Sequence, residues 1–241
     1  MPAAPAPPAP PSPYADGRLH ARPALWRQRP AVLPRPLPLA AGSHMLAFPN
    51  HRHARLYVPP HDGAAPLPLL VLLHGAGGQH GGGDAIALAH ATRHGTLLLL
   101  PEAQSTSWDV LRGGYGADLA FIDRLLAWAM QRYPVDAGAV TIGGFSDGAS
   151  YALSVGLMNG ELFGDILAFS PGFIAPLRRS GMPRVFIAHG TQDPVLSVER
   201  GKAIALKLAG EGYDVRYAEF NGAHLVEPAI AHAALRQLAA R

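Results

Sequence analysis

The sequence predicts an α/β fold, a mainly parallel sheet flanked by helices on both faces. Three observations predict it. Short runs such as Leu69-Leu70-Val71-Leu72-Leu73 and Thr96-Leu97-Leu98-Leu99-Leu100 are apolar without alternation, as strands buried on both sides must be. Amphipathic stretches with helical spacing separate such runs, so strand and helix patterns alternate along the chain. Finally, Gly144-Phe145-Ser146-Asp147-Gly148 falls directly after the apolar run Ala139-Val140-Thr141-Ile142 and directly before a helix-like stretch, the strand–turn–helix setting of a nucleophile elbow.

Taken in order, residues 18–24, 43–48 and 55–58 are expected as antiparallel strands leading into the sheet. The first fully apolar run predicts strand 69–73, followed by a helix near 84–94 and strand 96–100. The helical run from Asp118 to Tyr133 predicts helix 117–133. Strand 139–143 and helix 147–159 flank the pentapeptide, and strand 165–169 follows. Arg184 to His189 reads as a buried strand, then come helix 197–210, the alternating strand 214–220 and helix 226–240. The 14 residues from Ser170 to Pro183 leave no room for an inserted lid, so no cap domain is expected and the site should be open.

An elbow lifts a serine hydroxyl clear of the sheet, and its small flanking residues avoid collisions with the strand and helix beside so tight a turn. The residues that would activate Ser146 should follow in the order acid, then histidine. Asp193 lies just past strand 184–189, in Gly190-Thr191-Gln192-Asp193-Pro194, and His224 just past strand 214–220, in Asn221-Gly222-Ala223-His224. All three fall at the sheet edge where open α/β folds build sites. A serine hydroxyl is a weak nucleophile at neutral pH, so His224 would take its proton. Asp193 would hold the imidazole in the useful tautomer and stabilise the imidazolium. Backbone N–H groups of Asp147 and of Ala76, in His74-Gly75-Ala76-Gly77-Gly78, would meet the developing oxyanion. Trp108, Phe173 and Leu225 fall at strand ends and are candidates to line an apolar acyl pocket. Singly, the three polar residues also read as a helix N-cap, an Asx turn and a surface-loop histidine; their order and placement favour the site.

The other histidines invite a different chemistry. His90 and His94 are spaced i, i+4 on the expected helix, with His80 and Asp84 nearby. Without a HExxH pattern or a cysteine ligand, no metal site is expected. His74 and His189 each precede a glycine at a strand end and are expected to hydrogen-bond loop backbone. The glycine-rich run 75–83 is not followed by Gly-Lys-Ser/Thr and does not satisfy GxGxxG, which argues against a phosphate cradle.

The segments LLHGAGG, TIGGFSDGAS, AHGTQDPVLS and NGAHLVEP resemble α/β-hydrolase-fold esterases of the phospholipase/carboxylesterase type. Polyhydroxyalkanoate-depolymerase-like and dienelactone-hydrolase-like groups are close competitors. The likeness rests on the four motifs together. It implies a serine carboxylesterase without a cofactor, acting on small-molecule or polymeric esters. In those groups the position after the serine is often Gln, Met, Asn or Leu; here it is Asp147, whose carboxylate is expected to point away from the oxyanion. The same three residues would also serve lactone, thioester, amide or polyester cleavage. A non-catalytic binding module retaining the fold would betray itself by a missing member, and none is missing.

Composition bounds the rest. The 241 residues fit one α/β domain plus an extension, divided here into a disordered Pro/Ala-rich tail, residues 1–17, and a single α/β-hydrolase domain, residues 18–241. Half of the 24 prolines lie in the first 38 residues. Zero cysteines exclude a disulfide framework and a thiol nucleophile, and agree with a reducing, cytoplasmic location. Residues 1–55 carry seven arginines against Asp16 alone, whereas the remainder is mildly acidic. So diffuse a basic set indicates no nucleic-acid or membrane partner, and a monomer or homodimer is expected.

Overall fold

The computed structural model describes residues 12–23, 37–63 and 65–239. Its strands are β1 (Gly42–Phe48), β2 (Arg52–Val58), β3 (Leu67–Leu73), β4 (Leu97–Pro101), β5 (Val135–Phe145), β6 (Asp165–Phe169), β7 (Arg184–Gly190) and β8 (Val215–Phe220). Among the described residues these form one eight-stranded sheet in the order β1-β2-β4-β3-β5-β6-β7-β8. β1 pairs antiparallel with β2, and β2 antiparallel with β4; every later pairing is parallel. The helices are α1 (Gly83–His94), α2 (Ala117–Arg132), α3 (Asp147–Met158), α4 (Val198–Gly210) and α5 (Pro228–Ala239).

The unalternating apolar runs do what their pattern requires. Leu69, Val71, Leu73, Leu97 and Leu99 join one core with Leu126 of α2, Leu153 of α3 and Leu208 of α4. Leu70, Leu72, Leu98 and Leu100 join the other, with Ile86 of α1 and Leu235 of α5. Successive side chains point to opposite faces, so a strand covered on both sides needs an apolar residue at every position. Each such leucine contributes about 1.5–3 kcal/mol on burial.

The topology places the site. β4 lies on one side of β3 and β5 on the other, so the chain reverses its direction of winding beside β3. Loops leaving neighbouring strands at such a point diverge and open a crevice. The loop after β3 and the turn after β5 are the two that border it. Residues 170–183, between β6 and β7, contain no helix or strand and form no cap.

Two expectations are corrected. β5 begins at Val135 rather than 139; Val135 pairs with Leu67 across an irregularity between Leu67 and Leu69, and the polar Asp136 and the Gly138 that follow hide the pairing. Residues 18–23 form no strand, and Ala24 lies outside the described residues. Their amides pair with side chains instead: His20 and Ala21 donate to Asp123 Oδ1, and Leu19 donates to Asn159 Oδ1, each at 2.8 Å. Of the tail, residues 1–11 lie outside the described residues. Residues 13–16 form a turn, and the Tyr14 hydroxyl donates to Asp123 Oδ2 at 2.9 Å.

One buried ion pair ties the antiparallel edge to the helical layer. Arg52 Nη1 lies 2.8 Å from Asp118 Oδ1, both side chains buried, and the guanidinium sits 4.3 Å from the Phe121 ring centre. Removing one partner strands the other charge away from water. Arg112 Nη2, 3.6 Å from Asp118 Oδ2, would retain part of the compensation. Arg52→Leu is therefore expected to lower stability by about 3 kcal/mol, the low end for such pairs; a urea denaturation midpoint equal to wild type would contradict this.

Candidate active site

The elbow is built by close approach. A Cβ on Gly144 would lie 2.4 Å from the Gly148 carbonyl carbon, and a Cβ on Gly148 would lie 2.3 Å from the Leu73 carbonyl oxygen. Both contacts are with backbone that cannot yield, so only glycine fits. The turn drives Ser146 to φ 56°, ψ −119°, a strained conformation for a residue with a side chain. Its amide donates to the Phe169 carbonyl at 2.9 Å, which pins the turn to β6.

Three side chains meet there. His224 Nε2 is 2.8 Å from Ser146 Oγ, and His224 Nδ1 is 2.6 Å from Asp193 Oδ2. A carboxylate accepts, so Nδ1 carries the proton and Nε2 is left to accept from the serine hydroxyl. Asp193 Oδ1 accepts from the amides of Val195 and Leu196, each at 2.8 Å. The Asp193 side chain is wholly shielded, while that of His224 remains 15% exposed. The aspartate is thus fixed and dry, and the imidazole borders solvent. Backbone bonds join the loops that carry them: Gln192 N to Gly222 O at 3.0 Å, and Val226 N to Gly81 O at 3.0 Å.

Ala76 opens a short 3-10 turn, Ala76–Gly78, and Asp147 opens α3, so neither amide has a partner within its own helix. Their loops adjoin, because a Cβ on Gly75 would lie 3.1 Å from Ser146 Cβ. The Asp147 carboxylate accepts from the Ser107 hydroxyl at 2.7 Å.

These features can be set beside known proteins. The sequence model of the phospholipase/carboxylesterase family matches residues 120–235. Acyl-protein thioesterase 1 of Gibberella zeae is 33% identical over 101 residues, covering 36% of this chain and 43% of that protein. Probable feruloyl esterase C of Aspergillus niger is 26% identical over 181 residues, 71% of this chain and 65% of that protein. The chain therefore spans less than two thirds of either curated relative. Among solved structures, fluorophosphonate-binding serine hydrolase F of Staphylococcus aureus superposes with a TM-score of 0.66 at 15% identity, over 85% of this chain and all of that one. The chain has the α/β-hydrolase fold, and residues 120–235 resemble the phospholipase/carboxylesterase family.

Other sequence-derived candidates fare differently. Trp108 does not line an open pocket. Its side chain is 0% exposed, stacked on Tyr151 with ring centres 5.1 Å apart, and its indole N–H donates to the His74 carbonyl at 2.8 Å. A buried indole needs an acceptor for its N–H, and the strand-end carbonyl supplies one. Phe173 is half-buried in the loop after β6, and Leu225 is 37% exposed beside His224. His74 bonds loop backbone, donating from Nδ1 to Gly75 O and accepting at Nε2 from the Ala103 amide. His90 and His94 pack with ring centres 4.6 Å apart and planes tilted by 32°, and burial pushes His90 down to about 4. Among the described residues no group of three or more His, Asp or Glu side chains is placed to hold a metal ion.

Sequence reasoning missed two hydroxyls. Ser150 and Ser154, one turn apart in α3, accept from the amides of Gly172 and Ala175, each at 2.9 Å, and so hold the loop after β6 against α3. The available signal was a pair of serines spaced i, i+4 inside an otherwise apolar helix, where each needs a partner. It is weak, because nothing local names the partner.

Burial would raise the Asp193 carboxyl. The Leu196 amide, His224 and the Val195 amide outweigh that and hold it below its ordinary value. Stability from a lowered folded-state pKa is complete above the unfolded-state value and lost as pH falls through the folded one. Asp193→Asn is therefore expected to destabilise the fold at neutral pH, with the gap to wild type closing as pH falls through the carboxylate range. Urea midpoints across that range check it, and a gap independent of pH would refute it.

Proposed function

We propose that this chain is a serine hydrolase that cleaves carboxylic esters through an acyl-enzyme on Ser146. The observation that carries the reading is the continuous line from Ser146 Oγ through the His224 ring to a shielded, three-times-bonded end at Asp193. Ser146 Oγ attacks the acyl carbon while its proton passes to His224 Nε2. The former carbonyl oxygen takes the negative charge, met by the amides of Ala76 and Asp147. Collapse breaks the bond to the alkoxy oxygen, which leaves with the proton from His224. Water, deprotonated by the same nitrogen, then attacks the acyl-enzyme; the acid departs and Ser146 recovers its proton. Asp193 keeps the imidazole oriented and stabilises its charged form without itself accepting a proton.

Relatives named as a thioesterase and a feruloyl esterase support acyl transfer, and the lack of a cap in residues 170–183 supports accessible esters of short to medium acyl chain or open polymers. We assign the catalytic unit to residues 18–241, since Leu19 is already part of the core. The absence of cysteine supports a cytoplasmic location. No helix among the described residues is long and apolar enough to cross a membrane.

A fluorophosphonate probe should label the protein covalently, with the adduct mapping to the peptide that contains Ser146. Ser146→Ala should abolish labelling and lower kcat by about 10⁴-fold or more. An unlabelled, folded wild type would instead indicate a binding module. Across p-nitrophenyl esters from acetate to palmitate, kcat/KM should peak at the short or middle lengths, because nothing among the described residues encloses a long chain. A maximum at palmitate would overturn the open-site reading.

A further inference from the structure

Asp193 faces a second imidazole. His189, near the end of β7, is wholly buried. Its Nε2 lies 2.9 Å from the Leu196 carbonyl oxygen and 3.3 Å from Asp193 Oδ2, the same oxygen that His224 Nδ1 reaches at 2.6 Å. A carbonyl oxygen only accepts, so Nε2 carries the proton and donates it to Leu196 O, with Asp193 Oδ2 within ion-pair distance of the same N–H. His189 Nδ1 is buried and has no partner among the described residues. An orphan of this kind works against folding and calls for an explanation. The ring is therefore oriented by its Nε2 side, with Nδ1 left unmatched.

α4 makes room for that orientation. A Cβ on Gly201 would lie 2.5 Å from His189 Nδ1. Gly201 sits inside a helix, where glycine is disfavoured relative to alanine. Helical preference is thus overridden at an α4 position that abuts the ring.

We propose that His189 is a positioning residue for the reaction, holding Asp193 Oδ2 toward His224 while the amides of Val195 and Leu196 hold Oδ1. This rests on reading Ser146, His224 and Asp193 as the acyl-transfer site. His189 touches no reacting atom and acts through the carboxylate alone. Three hydrogen bonds and the His189 contact leave the aspartate little rotational freedom. The His189 N–H also draws charge from the oxygen that faces His224, so its removal leaves more negative charge there and favours the imidazolium. Among the described residues, the titratable side chains contacting Asp193 are His189 from β7 and His224 from the loop after β8.

The test compares His189→Leu, His189→Gln and Gly201→Ala in the full chain, with p-nitrophenyl acetate as probe. His189→Leu should lower kcat about tenfold to a hundredfold, the scale of loss from misplacing a reacting group. KM should stay within about twofold, and the acid limb of kcat/KM should move to higher pH. His189→Gln, whose side-chain amide can occupy the Nε2 position, should restore most of the rate and the limb. Gly201→Ala displaces the ring without deleting an atom of it, and should repeat the loss. Should His189→Leu fail to fold, the alanine variant decides. The low-field proton NMR signal of the His224 Nδ1–H bonded to Asp193 reads the contact without turnover, and should shift in His189→Leu and Gly201→Ala. Unchanged kcat, pH limb and proton signal would overturn the proposal. A wild type that does not label at Ser146 would overturn the hydrolase reading separately, and the NMR comparison would still decide the role of His189.

Discussion

The passage of α3 beneath the end of β3 sets every other distance in the site. It requires Gly148 to lie against the Leu73 and His74 carbonyls, where an added Cβ would come within 2.4 Å of each. With that contact made, the chain between β5 and α3 has to turn within one residue, and Ser146 absorbs the strain at φ 56°. A backbone strained in this way costs on the order of 1–3 kcal/mol. Leu153, Val155 and Leu157 of α3 are each wholly buried, and any one of them returns a comparable amount. Packing of the helix therefore holds the turn, and the hydroxyl stands where it does because α3 is anchored in the core.

The same economy of space recurs where the later loops meet. A Cβ on Gly190 would lie 2.4 Å from the Gly222 carbonyl oxygen, so the loops bearing Asp193 and His224 come together through backbone. Phe145, the residue before the serine, packs its ring 4.7 Å from the His224 ring centre and also abuts Gly75 and Gly81. One aromatic side chain thus touches the imidazole, the glycine-rich loop and the elbow. The geometry of the three polar residues is set by contacts that carry no charge.

The sheet was legible because both faces are covered: a strand that needs an apolar residue at every position stands out against any helix, as at 69–73 and 96–100. The placement of Ser146 was legible for a related reason, since the steric demand of the turn writes glycines into the sequence on both sides. What could not be read depends on partners distant along the chain. Residues 18–23 look like a strand until Asp123 and Asn159 take their amides. Trp108 looks like a pocket wall until the His74 carbonyl and Tyr151 claim it. His189 reads as one more strand-end histidine, and only the fold brings its Nε2 to Asp193. Spacing encodes the local turn, whereas these three outcomes depend on which buried acceptor happens to lie opposite.

Asp147 is where charge logic and sequence conflict most openly, since a carboxylate beside an oxyanion would oppose the charge forming there. The Ser107 hydroxyl holds it at 2.7 Å, and Ser107 belongs to the loop between β4 and α2. That loop is itself anchored in the core. Asp109 accepts from the Tyr151 hydroxyl at 2.7 Å and from the amides of Gly116 and Asp118, while Asp118 accepts from the Gln104 amide and pairs with Arg52. Burial, then the neighbouring charge of Asp109, raises Tyr151 well above its ordinary value, so the phenol remains a donor. The chain of contacts runs from Arg52 on the antiparallel strand β2, through two buried carboxylates, to the hydroxyl that restrains Asp147. Where negative charge sits beside Ser146 is therefore governed by a polar network built into the core.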